Sequence, residues 1–226
     1  MEGNPNDVPE PRRIARRTFL GALAVGLTSL WWGDAVWRAV RSVGDGLSPI
    51  GLPSVGGGWR IFTVNPPMPV FDPKSWRLRI EGLVERPVDL TYDELLALPR
   101  ARQVSDFHCV TGWSVDDVRW AGVRFDDLLE QARPRPEARA ISFYSAEQPY
   151  VDSLTLDQAL SADVMLAFEM DGKPLTRPHG APARVVMPRM YGYKNVKWVE
   201  RIVLTREPLV GYWERRGYDS DAWVES

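Results

Sequence analysis

Residues 75–96 read Ser-Trp-Arg-Leu-Arg-Ile-Glu-Gly-Leu-Val-Glu-Arg-Pro-Val-Asp-Leu-Thr-Tyr-Asp-Glu-Leu-Leu. Trp76, Leu78 and Ile80 alternate with Arg77, Arg79 and Glu81, and alternation with period two predicts a strand with one buried face. Thr91 then stands three residues before Glu94, just ahead of Leu95 and Leu96. At that spacing each side chain satisfies the other's backbone N–H, so a short helix begins here and stops at Pro99. The same alternation of elements extends outward. Residues 103–110 read as extended, Phe125 to Ala132 as an amphipathic helix, and Arg139 to Ser145 as a strand through Ile141 and Phe143. Thr155 and Gln158 form a second capping box. Val164 to Met170 and Ala183 to Met187 read as strands, with Asp171-Gly172 as a turn between elements, and Val196 to Thr205 as a longer strand. Strands interleaved with short helices in a non-repeating order predict an α+β domain with a mixed sheet.

The chain has 226 residues, 44% hydrophobic and 26% charged, enough for one packed domain with appendages. Lys and Arg number 28 against 30 Asp and Glu, a net charge of −2. That balance argues against a polyanion binder and against nucleic acid as a partner. One Cys and two His exclude an intrachain disulfide framework, a multi-Cys zinc or iron–sulfur site, and a His-rich metal site. Ten Trp and nineteen Pro suit a loop-rich domain with large aromatic anchors.

Residues 12–17, Arg-Arg-Ile-Ala-Arg-Arg, precede a mostly apolar run over 18–32. A cationic segment followed by a short apolar one has the shape of a secretory signal, not of a membrane span. Arg16-Arg17 before Thr18, Phe19 and Leu20 resembles a twin-arginine signal. A basic amphipathic helix lying on a membrane is the alternative. Gly33-Asp34-Ala35 is a poor cleavage site, so residues 1–43 are expected to act as signal or uncleaved anchor. Residues 44–58, rich in Gly, Ser and Pro, read as a linker, which leaves 59–226 as the folded domain.

The sole cysteine lies in Asp106-Phe-His-Cys-Val-Thr-Gly-Trp-Ser114. A lone Cys in an apolar strand is ordinarily a small core residue. Here one of only two histidines adjoins it, and Gly112 allows backbone to approach a ligand. Adjacent strand residues face opposite ways, so His108 and Cys109 do not meet directly. His179 could pair with Cys109 across the fold, which leaves a Cys–His hydrolase or transferase open. A non-catalytic exported binding module is a third possibility. A thiolate also suits a soft or high-valent transition metal. One Cys cannot hold a bare ion, so a metal at Cys109 would take its other ligands from an organic cofactor.

Cys109-Val-Thr-Gly-Trp-Ser, with Trp120 and Gly122 downstream, resembles the cofactor-cysteine segment of the sulfite oxidase-type molybdopterin enzymes. A second block is similar to the family's pterin-binding signature: His179-Gly-Ala-Pro-Ala-Arg184, Val185-Val-Met-Pro188, then Tyr191-Gly-Tyr-Lys-Asn-Val-Lys-Trp198. The resemblance covers roughly residues 60–215 and implies a mixed-sheet molybdopterin-binding domain. It implies Cys109 as the thiolate ligand of molybdenum, with the pterin dithiolene supplying further sulfur. It places Asn65, His108, Ser145, His179, Arg184, Tyr193, Lys194, Asn195, Val196 and Lys197 with the cofactor. Arg184 and Lys197 are the cations suited to its phosphate.

The implied activity is oxygen-atom transfer to or from a small sulfur-containing substrate, a sulfoxide or a sulfite-like anion. No C-x-x-C-H haem motif occurs, so the implied electron partner is separate, a membrane cytochrome or quinone-linked protein. No arginine follows Cys109 until Arg119, which favours the exported methionine sulfoxide reductase branch over sulfite, with Arg102 and Arg189 as other arginines that could reach the site. The chain ends soon after Trp213, and a monomeric catalytic module is the expectation.

Overall fold

The computed structural model describes residues 54–55 and 58–224. The chain divides into two compact units, Met1–Ser54 and Val55–Ser226, and all of the described residues except Ser54 belong to the second. The expected leader (1–43) and most of the expected linker lie outside the described residues.

The segment from Ser75 to Leu96 folds as its pattern predicts. Strand β1 (Arg77–Gly82) buries Leu78 and Ile80 completely while Arg77 and Arg79 face solvent. Each such buried side chain contributes about 1.5–3 kcal/mol on leaving water. β1 pairs antiparallel with β2 (Val88–Thr91), which feeds helix α1 (Tyr92–Ala97) through the reciprocal Thr91–Glu94 capping box. The helix ends at Leu98, one residue before Pro99. Next come β3 (Ala101–Cys109), β4 (Trp113–Arg124) and helix α2 (Phe125–Ala132). β5 (Ala140–Ser145) and β6 (Val151–Thr155) follow, and then helix α3 (Leu156–Ala159), capped by Thr155 and Gln158. β7 (Met165–Met170) turns through Asp171 and Gly172, both at positive φ, into β8 (Lys173–Pro174). β9 (Arg184–Val186) and β10 (Val199–Thr205) complete the set.

These ten strands form two five-stranded sheets; a further two-residue strand, Trp59–Arg60, stands outside them. One runs β8-β7-β4-β3, with β9 also on β7; the other runs β2-β1-β10-β5-β6. β10 is parallel to β1 and antiparallel to β5, so the second sheet is mixed. This is the predicted α+β class. The main core gathers α2, the second sheet and β9; a smaller apolar cluster holds Trp59, Ile61, Trp120, Met165 and Val186.

One expectation is corrected and one strand is added. The strand expected from Val196 begins only at Val199. Before it the backbone turns: Val196 N–H donates to Lys194, Val196 C=O accepts from Val185, and Trp198 sits at φ 51°. The twelve-residue strand β4, longest among the described residues, has no clear alternation in its sequence. Its pairing with β3 slips beside Asp117, which is at positive φ, and residues 120–123 are buried on both faces.

Candidate cofactor site

The β3–β4 hairpin delivers the cysteine. Cys109 ends β3 opposite Trp113, and Gly112, at φ +84°, closes the turn by donating its N–H to the Cys109 carbonyl at 3.0 Å. A residue with a Cβ is strained at that φ, so glycine is the natural choice. As alternation demands, the two neighbours part. His108 Nδ1 lies 2.8 Å from Ser114 Oγ, while Cys109 lines a cavity of about 190 Å³.

The second block closes on the same cavity. His179 ends the 3₁₀ turn Arg177–His179 and Arg184 opens β9; Tyr193 sits in the 3₁₀ turn Gly192–Lys194, with Asn195 and Lys197 in the loop beyond. Cys109, Ser145, His179, Arg184, Tyr193, Asn195 and Lys197 all line it. Gly180, at φ +99°, lies so close to Lys197 that an added Cβ would come within 2.8 Å of the lysine Cβ. The sequence separation between Cys109 and the later block is therefore closed by the fold.

Four of the expected contacts fall elsewhere. The Lys194 ammonium bonds Asp152 at 2.8 Å, the Ser153 carbonyl at 3.1 Å, and Glu214; it is spent on protein carboxylates and does not face the cavity. Val196 is fully buried in the main core. His108 is turned to the other face of the hairpin. Asn65 lies beside the cavity wall, where its Nδ2 donates to the Gln148 carbonyl at 2.8 Å. Asn195 reaches the cavity but its amide is engaged, with Oδ1 accepting from Met187 N–H at 2.7 Å. Arg102 and Arg189 are not among the lining residues; Arg189 pairs with Asp163 at 2.8 Å.

Other lining residues carried no sequence signal. Trp59, Arg60, Phe62 and Val64 bring the start of the domain across the cavity, and Trp213 and Tyr218 bring its end. Glu147 organises the first of these by accepting from Thr63 Oγ1 and from Val64 N–H, the latter at 2.9 Å. Such contacts span about eighty positions and leave no local pattern.

The electrostatics are uneven. Arg184 is only 2% exposed, yet no ion pair holds it among the described residues. Its guanidinium donates to the His179 carbonyl at 3.2 Å and lies over the rings of Trp120 and Phe107 at 5.2 and 5.5 Å. Burial lowers its pKa to about 10. Lys197 donates to the Phe62 carbonyl at 2.6 Å, and burial together with the Arg184 charge lowers its pKa to about 7. Burial, with the same two cations, lowers His179 to about 4, so the ring is neutral near pH 7. His179 Nδ1 and Arg184 Nε are buried without a protein partner. Isolated buried charge and orphaned donors are costly. Both become favourable when an anion rich in acceptors enters.

Neither histidine has a hydrogen bond to Cys109; the sulfur's one partner among the described residues is Thr111 Oγ1, at 3.1 Å. No group of three or more His, Cys, Asp and Glu that could hold a metal occurs among the described residues. A single thiol beside two cations that have no ion-pair partner among the described residues is a donor set suited to binding metal through an anionic chelate.

Residues 65–213 match the model of the oxidoreductase molybdopterin binding domain. The chain belongs to this family, the sulfite oxidase-type molybdopterin oxidoreductases, whose cofactor is molybdopterin with molybdenum. It is 40% identical over 154 residues to the uncharacterized oxidoreductase YuiH of Bacillus subtilis, covering 67% of this chain and 77% of that one. It is 31% identical over 160 residues to the protein-methionine-sulfoxide reductase catalytic subunit MsrP of Campylobacter jejuni, covering 64% of this chain and 54% of the relative. Among solved structures it resembles the sulfane dehydrogenase SoxCD of Paracoccus pantotrophus, with a TM-score of 0.61 and 27% identity, over 65% of this chain and 42% of that one. The chain thus spans about half the length of the MsrP relative and less of the solved structure.

Proposed function

We propose that the chain is the catalytic module of an exported oxidoreductase that moves an oxygen atom to or from the sulfur of a small substrate. The carrying observation is the meeting of Cys109 with two cations free of carboxylate partners, Arg184 and Lys197, around one cavity. Cys109 would hold molybdenum. Arg184 and Lys197 would hold the cofactor phosphate, a pairing suited to charge-assisted hydrogen bonds. His179, neutral at working pH, and the Ser145 hydroxyl would hydrogen-bond the pterin. Molybdenum, when bound, supplies Lewis acidity and a two-electron sink.

The protein's own part is binding, orientation and exclusion of water. Trp59, Phe107 and Trp113 pack within about 6 Å of one another, with Trp59–Phe107 ring centroids 4.8 Å apart, and form an apolar wall beside the sulfur. Arg60 and Arg184 are the lining arginines among the described residues. With Arg184 committed to phosphate, Arg60 alone remains for a substrate oxyanion. This supports a neutral sulfoxide over sulfite. Electrons would pass to or from a separate partner, a membrane cytochrome or quinone-linked protein, and the leader with Arg16-Arg17 supports export.

The test is a substrate panel on protein loaded with molybdenum. Methionine sulfoxide and dimethyl sulfoxide are offered with a reduced dye, and sulfite with an oxidised one. Turnover of the sulfoxides supports the proposal. Turnover of sulfite alone reverses the direction and the substrate, and a fully loaded protein inert to all three rejects sulfur oxygen transfer.

A further inference from the structure

The hairpin turn presents a second polar group to the cavity. Thr111 lies between Cys109 and Gly112, and its Oγ1 stands 3.1 Å from Cys109 Sγ. Both residues line the cavity, and the sulfur is the hydroxyl's one hydrogen-bond partner among the described residues. The geometry is enforced locally. Gly112 N–H bonds the Cys109 carbonyl and Cys109 is in register with Trp113, so the turn cannot open without breaking the end of the β3–β4 ladder. The backbone from which both side chains project is thus held in place.

We propose that Thr111 is a positioning residue that fixes and tunes the metal-binding sulfur by donating its hydroxyl hydrogen to Cys109 Sγ. The proposal rests on Cys109 being the molybdenum ligand. Between a thiol and a hydroxyl either group can donate. A ligating sulfur has lost its proton, so the hydroxyl becomes the donor and the sulfur the acceptor. No proton or electron passes through Thr111, and the hydrogen stays on oxygen throughout.

The consequence follows from electrostatics. Hydrogen bonds to ligand sulfur are among the protein's means of setting a metal's reduction potential. The sulfur carries more negative charge when the metal is reduced, so the donor stabilises the reduced state more than the oxidised one. Removing the hydroxyl lowers the potential. Only the part of that hydrogen bond's strength that differs between oxidation states appears in the potential. The expected effect is thus at most about a tenfold shift of the oxidised-to-reduced ratio at a fixed potential, or about 59 mV for a one-electron couple. The hydroxyl also restricts the sulfur's rotamer, which narrows the distribution of metal environments.

The experiment uses the loaded full chain and three variants, Thr111→Val, Thr111→Ala and Thr111→Ser. Metal content per protein is measured first, and then the molybdenum midpoint potential by redox titration with EPR detection. Valine keeps the shape without the hydroxyl, alanine guards against a packing artefact, and serine restores the donor. The expected result is full metal content throughout, a lowered potential in both Val and Ala, and a potential near wild type in Ser. Equal potentials in all four loaded proteins overturn the proposal. Loss of metal in Val and Ala, with retention in Ser, also overturns it as stated, because the hydroxyl would then govern retention and not potential. An unchanged molybdenum sulfur shell in Cys109→Ser, read by X-ray absorption at equal metal content, would instead remove Cys109 as the ligand, a separate failure that identifies itself.

Discussion

Lys194 and Lys197 stand three residues apart in one motif, and the fold gives them opposite tasks. Lys194 is 3% exposed and meets two carboxylates, Asp152 and Glu214. Burial alone would lower its pKa, but the two acids outweigh it and raise it. Asp152, pressed the other way by burial, rises to about 6 despite its lysine. This cluster ties the Gly192–Lys194 turn to β6 and to the C-terminal 3₁₀ turn Glu214–Arg216. Lys197 has no carboxylate ion pair: its ammonium donates to the Phe62 carbonyl and lies 4.1 Å from the centre of the Trp198 ring, and its pKa falls to about 7. The first cation is neutralised from within the protein. The second, like Arg184, has no ion-pair partner among the described residues, which suits the phosphate role proposed for both.

The contrast breaks most visibly at Lys194. Lys194→Ala strands Asp152 and Glu214 in the interior, and loss of one partner of a buried pair costs about 3–5 kcal/mol. Urea unfolding of the apoprotein should show that loss. A folded variant of unchanged stability that has lost its cofactor would make Lys194 a binding residue after all.

Arg184→Met should do the reverse. Apoprotein stability stays at or above wild type, because the guanidinium has no ion-pair partner to lose and its isolated buried charge is costly. Cofactor affinity falls about 10- to 100-fold, the range of a hydrogen bond to a charged group, as read by pterin content after gel filtration. Undiminished content would remove the phosphate role.

Lys197 sharpens the contrast through pH. Its ammonium attracts the phosphate only while protonated, so affinity is highest below about pH 7 and weakens as pH rises through that value. Lys197→Met should flatten that part of the profile relative to wild type. Apoprotein stability runs the other way. The unfolded lysine keeps its proton to about 10.5 and the folded one loses it near 7, so stability rises with pH across that window.

The smallest effect concerns His179. Its pKa falls from 6.5 to about 4 on folding. Stability is intact above 6.5 and declines as pH drops toward 4, where the unfolded chain takes up a proton that the folded ring refuses. His179→Asn should shallow the urea-midpoint slope between those values, and an unchanged slope would place the acid sensitivity elsewhere.

Legibility in the sequence depended on how local the cause was. Leu78 and Ile80, and both capping boxes, announce themselves within four residues, and the structure forms them as read. β4 did not, because Asp116-Asp117 interrupts its alternation and its second half is buried on both faces. Within the motif, residue type suggested charge but not its destination. Nothing near Lys194 reveals that Asp152, forty-two positions earlier, will reach it. The cavity walls from Trp59 to Val64 and from Trp213 to Tyr218 arrive by the same long-range route. The cofactor family was readable from two short blocks, while the distinction between a lysine spent on carboxylates and one left without them required the packed sheets.

The central claim is that Cys109 binds molybdenum whose chelate is held by the 179–197 stretch. Molybdenum X-ray absorption on wild type and Cys109→Ser, both made in a molybdenum-replete host able to build the pterin, addresses it most directly. The expected result is a sulfur shell one atom smaller in the variant, or loss of the metal altogether. An identical sulfur shell at equal metal content would contradict it.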